Sequence, residues 1–221
     1  MSLGPSEPPA GPWRVEPIEW VTDTFAAAHM SAEGGGRDRP FVVAVDGRSA
    51  AGKSTLAAAL SAHVPGSVVV HTDDVAWHHA FFDWSDLLRT RVLEPLRRRA
   101  AVSYRPPGWD ERGRPGSIEI PASCPAVFIE GVGASRRELL PWIDAAVWVQ
   151  SDRERAEEIG IARDGADEGT RQFSAEWMAA EDNFLAEDQP WRRADVIVAG
   201  NAEGPPHDPA TEVVVAPPVK E

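Results

Sequence analysis

Between an apolar run and an alanine-rich run, the chain carries a loop bounded by glycines: FVVAVDGRSAAGKSTLAAAL, Phe41 to Leu60. The pattern is Gly47, four residues, then Gly52-Lys53-Ser54. Glycines at 47 and 52 let the backbone turn inward, so that successive N–H groups converge on one centre. The helix that starts near Lys53 adds the positive end of its dipole. In this reading Arg48, Ser49, Ala50 and Ala51 lend backbone to an anion cradle that continues through Lys53, Ser54 and Thr55. The Lys53 ammonium extends to the β- and γ-phosphates, and the Ser54 hydroxyl sits on Mg²⁺. A chain of this length shows the pattern by accident on the order of one time in a hundred. Here a strand-like run precedes it and a strong helix former follows, so the loop predicts a bound nucleoside triphosphate.

The rest of the chain repeats the strand-then-helix theme. Five short runs are apolar: FVVAV from Phe41, SVVV from Ser67, AVFIE from Ala126, AAVWV from Ala145 and DVIVA from Asp195. None alternates polar with apolar, as expected for strands buried on both faces of a parallel sheet. Helical patterns fall between them, over Lys53–His63, Ser85–Arg99, Arg153–Arg163 and Thr170–Ala186. An earlier one places Ile18, Val21, Phe25 and Ala28 on one face. The predicted fold is α/β: a doubly wound, mostly parallel five-stranded sheet with helices on both faces and a lid. Residues 1–12 and 201–221 are rich in Pro and Gly and read as flexible ends, although EVVVA near the C-terminus could add an edge strand. Residues 13–200 form the expected domain, with an excursion over 74–122 and a lid over 160–186.

Charge and cysteine content narrow the partners. A formal net charge of −13 argues against nucleic acid and against an anionic membrane surface. The single cysteine, Cys124, cannot form an internal disulfide, which fits a reducing compartment. No run has the length of a membrane span and the first residues lack a signal-peptide pattern, so a cytoplasmic protein is expected. Self-association is left open by the sequence. No Asn-Lys-x-Asp string occurs, which a GTPase switch would use to read its base. A small-molecule kinase instead needs a carboxylate to aim an acceptor hydroxyl and arginines over the transferred group. Asp73 follows the second strand run and Glu130 ends the third, both at the sheet edge where α/β ligands bind.

Together these residues resemble the uridine kinase and related P-loop nucleoside kinase group, from Phe41 to about Gly200. GRSAAGKST is similar to that family's phosphate loop, and HTDDV to the string that carries its general base, which implies that role for Asp73. FDWSDLL resembles the segment whose acid holds ribose hydroxyls, implying Asp83. YRPPGWD resembles the stretch lining the acceptor pocket, implying Tyr104 and Trp109 beside Asp110. FIEGVGA carries the equivalent of a further acid, Glu130, expected near substrate or Mg²⁺. ARDGADEGTR resembles the lid, implying Arg163 over the γ-phosphate and Arg171 beside the nucleotide. The resemblance implies ATP and Mg²⁺ as cofactors and a small-molecule acceptor, with Lys53, Asp73 and Arg163 as the catalytic set.

The aromatic side chains Trp77, Phe81, Phe82, Trp84, Tyr104 and Trp109 crowd between the second and third strand runs. They suit either a pocket for a flat ring or a satellite core. His78 and His79 among them lack a third ligand nearby and read as packing rather than metal ligands. Three acceptor readings stand: a nucleoside, a non-nucleoside alcohol such as a sugar or vitamin precursor, or no acceptor at all in a P-loop protein that only binds ATP.

Overall fold

The computed structural model describes residues 1–31, 39–77, 81–165, 167–201 and 203–219. His78 and His79, the helix-breaking glycines before Arg37 and residue 166 of the lid lie outside them. The central sheet has seven strands in the order β1-β9-β8-β7-β2-β6-β3. They are β1 (Arg14–Pro17), β2 (Phe41–Gly47), β3 (Val68–His71), β6 (Ala126–Glu130), β7 (Ala145–Gln150), β8 (Val196–Ala199) and β9 (Glu212–Ala216). The five runs expected from the sequence are the parallel members, β8-β7-β2-β6-β3. β9 and β1 extend that sheet antiparallel. A separate hairpin pairs β4 (Val102–Tyr104) with β5 (Ile118–Ile120).

Burial explains why the parallel strands are unbroken apolar runs. Val43, Val45, Phe128 and Val147 face a core shared with Ile18, Val21 and Phe25 of α1 (Ile18–Ser31) and Leu56 and Leu60 of α2 (Lys53–Ala62). Val42, Ala44, Val127 and Ile129 face the opposite core. There they meet Leu88, Leu93 and Leu96 from a continuous helical stretch, α4 (Ser85–Leu88), a π turn (Arg89–Leu93) and α5 (Glu94–Arg97). With both faces covered, a strand has no solvent side on which to place polar residues. The remaining helices are α3 (Thr72–Ala76), α6 (Pro107–Glu111), α7 (Arg153–Asp164) and α8 (Glu168–Asp188).

Two expectations are corrected. The sheet has seven strands rather than five, and β9 is interior, paired to β1 on one side and β8 on the other. Residues 212–216, expected to be loose, are therefore packed into the sheet. Val214 and Val215 are 1% and 0% exposed, which composition alone did not foretell because prolines surround them. At the other end Glu7 is buried, accepting from the Trp148 indole N–H at 2.8 Å and from Gln150 Nε2 at 3.0 Å.

Register sets up the site. Val45 of β2 and His71 of β3 both pair with Glu130 of β6, and Gly47 pairs with Val149 of β7. β3 and β6 thus end together at His71 and Glu130, β2 runs two residues further to Gly47, and the segments that follow them emerge side by side. Ending the chain at residue 205 would remove β9, leave β1 without its partner and uncover one edge of β8. The expected result is loss of cooperative thermal unfolding at the full-length melting temperature; an unchanged melting curve would show β9 to be dispensable.

Candidate active site

The carboxyl ends of β2, β3 and β6 open onto a cleft of about 810 Å³. Its floor is the loop after β2. Gly52 takes the left-handed conformation, φ +96°, as N-cap of α2, and a Cβ on Gly47 would come within 2.7 Å of the Val149 carbonyl oxygen. Both positions therefore require glycine. Behind the loop, the fully buried Asp46 carboxylate accepts from the N–H groups of Gly47, Gly133 and Ser135 at 2.8–2.9 Å and from the Ser135 hydroxyl at 2.7 Å. Burial pushes its carboxyl up from the ordinary range, with those hydrogen bonds opposing. They tie the loop after β2 to the loop after β6.

Of the residues expected in the cradle, Arg48, Ser49, Ala50, Gly52, Lys53, Ser54 and Thr55 line the cleft. Gly47 and Ala51 lie beneath it, Ala51 fully buried. The Lys53 ammonium donates to the Arg48 carbonyl across the loop at 2.6 Å. Asp73, Glu130 and Arg163 also line the cleft. Asp73 stands in the first turn of α3, which begins directly after β3. It keeps solvent-exposed surface, yet the crowding protein raises its carboxyl above the ordinary aspartate value; the charges of Lys53, Arg163 and His71 oppose this and that of Glu130 adds to it.

Glu130 is held differently. Burial alone would raise it, but the His71 imidazole, the Lys53 charge and the Ser54 hydroxyl together bring it below the ordinary glutamate range. His71 Nδ1 lies 2.6 Å from Glu130 Oε2, and that hydrogen bond in turn raises the histidine. Two carboxyls on adjacent strand ends are thus shifted in opposite directions, the arrangement that separates acid–base work from charge binding. Arg163, near the end of α7, is exposed and holds Asp164 by two hydrogen bonds of 2.6 and 2.8 Å. That pairing raises its already high pKa, with the Asp73 charge contributing less.

The remaining expected residues are not brought into the cleft. Tyr104 and Trp109 do not line the cleft; they are buried in the core that holds Val42 and Ala44, among Leu88, Val92 and Ile118. The Trp109 indole N–H donates to the Asp74 carbonyl at 2.9 Å, and the Arg114 guanidinium lies 3.8 Å from a Trp109 ring centroid. They belong to the main core on that face of the sheet. Asp83 is exposed and does not line the cleft; neither does Arg171, exposed on α8.

The sequence reading missed the brace that holds the loop from above. Arg48 is 2% exposed, and three carboxylates surround it: Asp182 at 2.7 Å, Glu181 at 3.6 Å and Glu7 at 3.6 Å. Glu181 also accepts from the Ser49 backbone N–H at 2.7 Å, and the Trp177 indole donates to the Ser49 hydroxyl at 2.7 Å. Arg153 of α7 shares Asp182 at 2.8 Å. A signal existed: Trp177, Glu181, Phe184, Leu185 and Asp188 follow helical spacing, and an acid on an apolar stripe calls for a buried partner.

As for Mg²⁺, Ser54 is exposed, and its hydroxyl helps to hold the Glu130 carboxyl down. The donors are hard oxygens, as Mg²⁺ requires. Among the described residues no group of three or more His, Cys, Asp or Glu side chains is placed to hold a metal alone. An ion that binds through one or two protein oxygens together with phosphate fits this arrangement.

No family model and no curated protein matches the chain. Among solved structures, the protein YGR205w superposes with a TM-score of 0.56 at 11% identity, over 82% of this chain and 92% of that one. The fold is shared. A structure described as a possible uridine kinase from Bacillus stearothermophilus aligns over 80% of this chain and 98% of its own, at 22% identity and a TM-score of 0.49. No helix among the described residues is long and apolar enough to cross a membrane.

Replacing Arg48 with alanine would leave Glu7 and Glu181, 7% and 3% exposed, without their cation. Breaking a buried ion cluster in this way costs about 3–5 kcal/mol, read as a lower urea midpoint. Arg48→Lys should recover only part of it, because an ammonium cannot serve several carboxylates in a planar fork.

Proposed function

We propose that the chain is an ATP-dependent small-molecule kinase that transfers the γ-phosphoryl group to an alcohol hydroxyl. The observation that carries the reading is the placement of Asp73 just beyond β3 and of Glu130 at the end of β6, with Lys53 and Arg163 in the lining of the same cleft.

The roles follow from charge and position. Amides of residues 48–54 and the N-terminus of α2 hold phosphate oxygens. Lys53 exchanges the Arg48 carbonyl for β- and γ-oxygens and neutralises charge there. Ser54 and Glu130 hold Mg²⁺, which supplies further charge neutralisation when bound. Asp73 orients the acceptor hydroxyl and takes its proton as the new O–P bond forms and the bond to the departing diphosphate breaks. Its raised pKa brings it closer to the task of a general base than an ordinary aspartate. Arg163 leaves Asp164 to cover the transferred group, as one face of a lid formed by α7 and α8. Little covalent work is asked of the protein; holding the two oxygens in line accounts for most of the rate.

The nucleoside acceptor implied by the resemblance rests on Asp83, Tyr104 and Trp109. With those three outside the cleft, a non-nucleoside alcohol is the better supported acceptor. The protein is read as acting on small molecules in the cytoplasm, without nucleic acid or membrane partners.

Lys53→Ala and Asp73→Asn should each lower turnover roughly 100-fold or more while leaving the circular dichroism unchanged. Undiminished activity in Asp73→Asn would remove that residue from the chemistry. Because the active form is the carboxylate, kcat/KM should fall as pH drops through the raised pKa of Asp73, at a higher pH than an unperturbed aspartate would give. Arg163→Ala should reduce kcat at a nearly unchanged KM for ATP; a rise in KM with normal kcat would make it a ground-state binding residue.

A further inference from the structure

Asp73 stands in α3, a helix of five residues that starts directly after β3. A helix this short has no stability of its own, so its orientation is set by what it touches. Two of its residues are anchored beneath it. Val75 is fully buried in the core, and Thr72 packs so closely on the exit of β6 that a Cβ at Gly131 would come within 1.7 Å of its hydroxyl oxygen. The third anchor is Asp74. Its carbonyl oxygen accepts from the Trp109 indole N–H at 2.9 Å, and its carboxylate accepts from the Arg114 guanidinium at 2.6 Å.

Arg114 is itself held on several sides. Its guanidinium lies 3.8 Å from a Trp109 ring centroid and 5.4 Å from that of Trp77, the residue that follows α3 and lines the cleft. The Arg114 backbone N–H donates to the Trp109 carbonyl at 2.9 Å. The Arg105 guanidinium donates to the carbonyls of Arg114 and Gly116, each at 2.6 Å, and pairs with Asp110 of α6. The loop after α6 is thereby tied to the end of β4, and it presents one fixed cation to Asp74. The Arg114–Asp74 pair is partly exposed, so charge attraction alone is worth little there. Placement over the ring faces adds to it and makes it directional.

We infer that Arg114 is a positioning residue for Asp73: with Trp109 it clamps Asp74, and so fixes the rotation of α3 that aims the neighbouring Asp73 into the cleft. The inference rests on the phosphotransfer reading, in which Asp73 receives the acceptor hydroxyl, and adds the group that aims it. Successive side chains on a helix point about 100° apart, so a turn of Asp74 carries Asp73 with it. Arg114 does not line the cleft, and its effect on turnover runs through α3. The stretch that resembles an acceptor-pocket lining serves instead as the buttress of the turn behind that pocket.

Arg114→Ala in the full chain tests the clamp in two arms. The first is amide exchange followed by NMR, which needs no acceptor: exchange in α3 should be about tenfold faster than in the unmodified chain, with α2 changed less than twofold. The second is ADP release with ATP and Mg²⁺ against uridine, ribose, glucose, pantothenate and glycerol. For the best of these acceptors kcat should fall about tenfold, while the calorimetric Kd for ATP stays within twofold. In an Asp73→Asn background the same change should lower the residual kcat less than twofold. Arg114→Lys, which keeps the charge without the planar fork, should recover only part of the loss. Unchanged exchange in α3, or faster exchange in α2 as well, overturns the clamp. A loss of kcat equal in both backgrounds overturns its action through Asp73, and full recovery in Arg114→Lys makes charge rather than position the cause. No acceptor-dependent ADP from the unmodified chain counts against the phosphotransfer reading, while the exchange arm still decides the clamp.

Discussion

The structure depends on the register of three parallel strands. Val45, Glu130 and His71 are register partners across β2, β6 and β3, so the loop after β2, the Glu130 carboxylate and the turn bearing Asp73 leave the sheet at one edge. Parallel pairing makes this unavoidable once both faces of the sheet are covered. A slip of one residue in β6 would exchange the residues facing the two cores, moving Val127 and Ile129 to the side now held by Phe128. The hydrophobic cores thereby fix the spacing of groups that never touch them.

A second layer of order comes from charge. Arg48 could not be buried inside the loop without acids to receive it, and they arrive from distant parts of the chain: Glu7, and Glu181 with Asp182. The N-terminal segment, the loop and α8 are joined by that cluster. The same helix contributes Trp177 to Ser49, and Phe173, Trp177 and Met178 to the cleft lining. A change in α8 is thus felt by the loop and by the cleft together.

Much of this was legible in the sequence, and the limits have physical reasons. The glycine-bounded turn after β2 could be read because its backbone geometry demands glycine at set positions. The parallel strands could be read because burial on both faces writes an unbroken apolar run. β9 was hidden by flanking prolines, and β1, four residues long, carries almost no pattern. Tyr104 and Trp109 were misplaced because an aromatic residue beside an acid looks the same in a pocket and in a small core; only the contact of Trp109 with the Asp74 carbonyl and Arg114 decides it. The pairing of His71 with Glu130 depends on a register between strands 59 positions apart, which no local pattern contains.

The central claim is that this sheet edge grips a triphosphate and sets a carboxylate against it. Calorimetric titration of the full chain with ATP, with and without Mg²⁺, tests that claim most directly. The account predicts one equivalent bound, more tightly with the metal, and weaker binding of ADP. Absence of heat at every ATP concentration, or equal affinity for ATP and for adenosine, would contradict it.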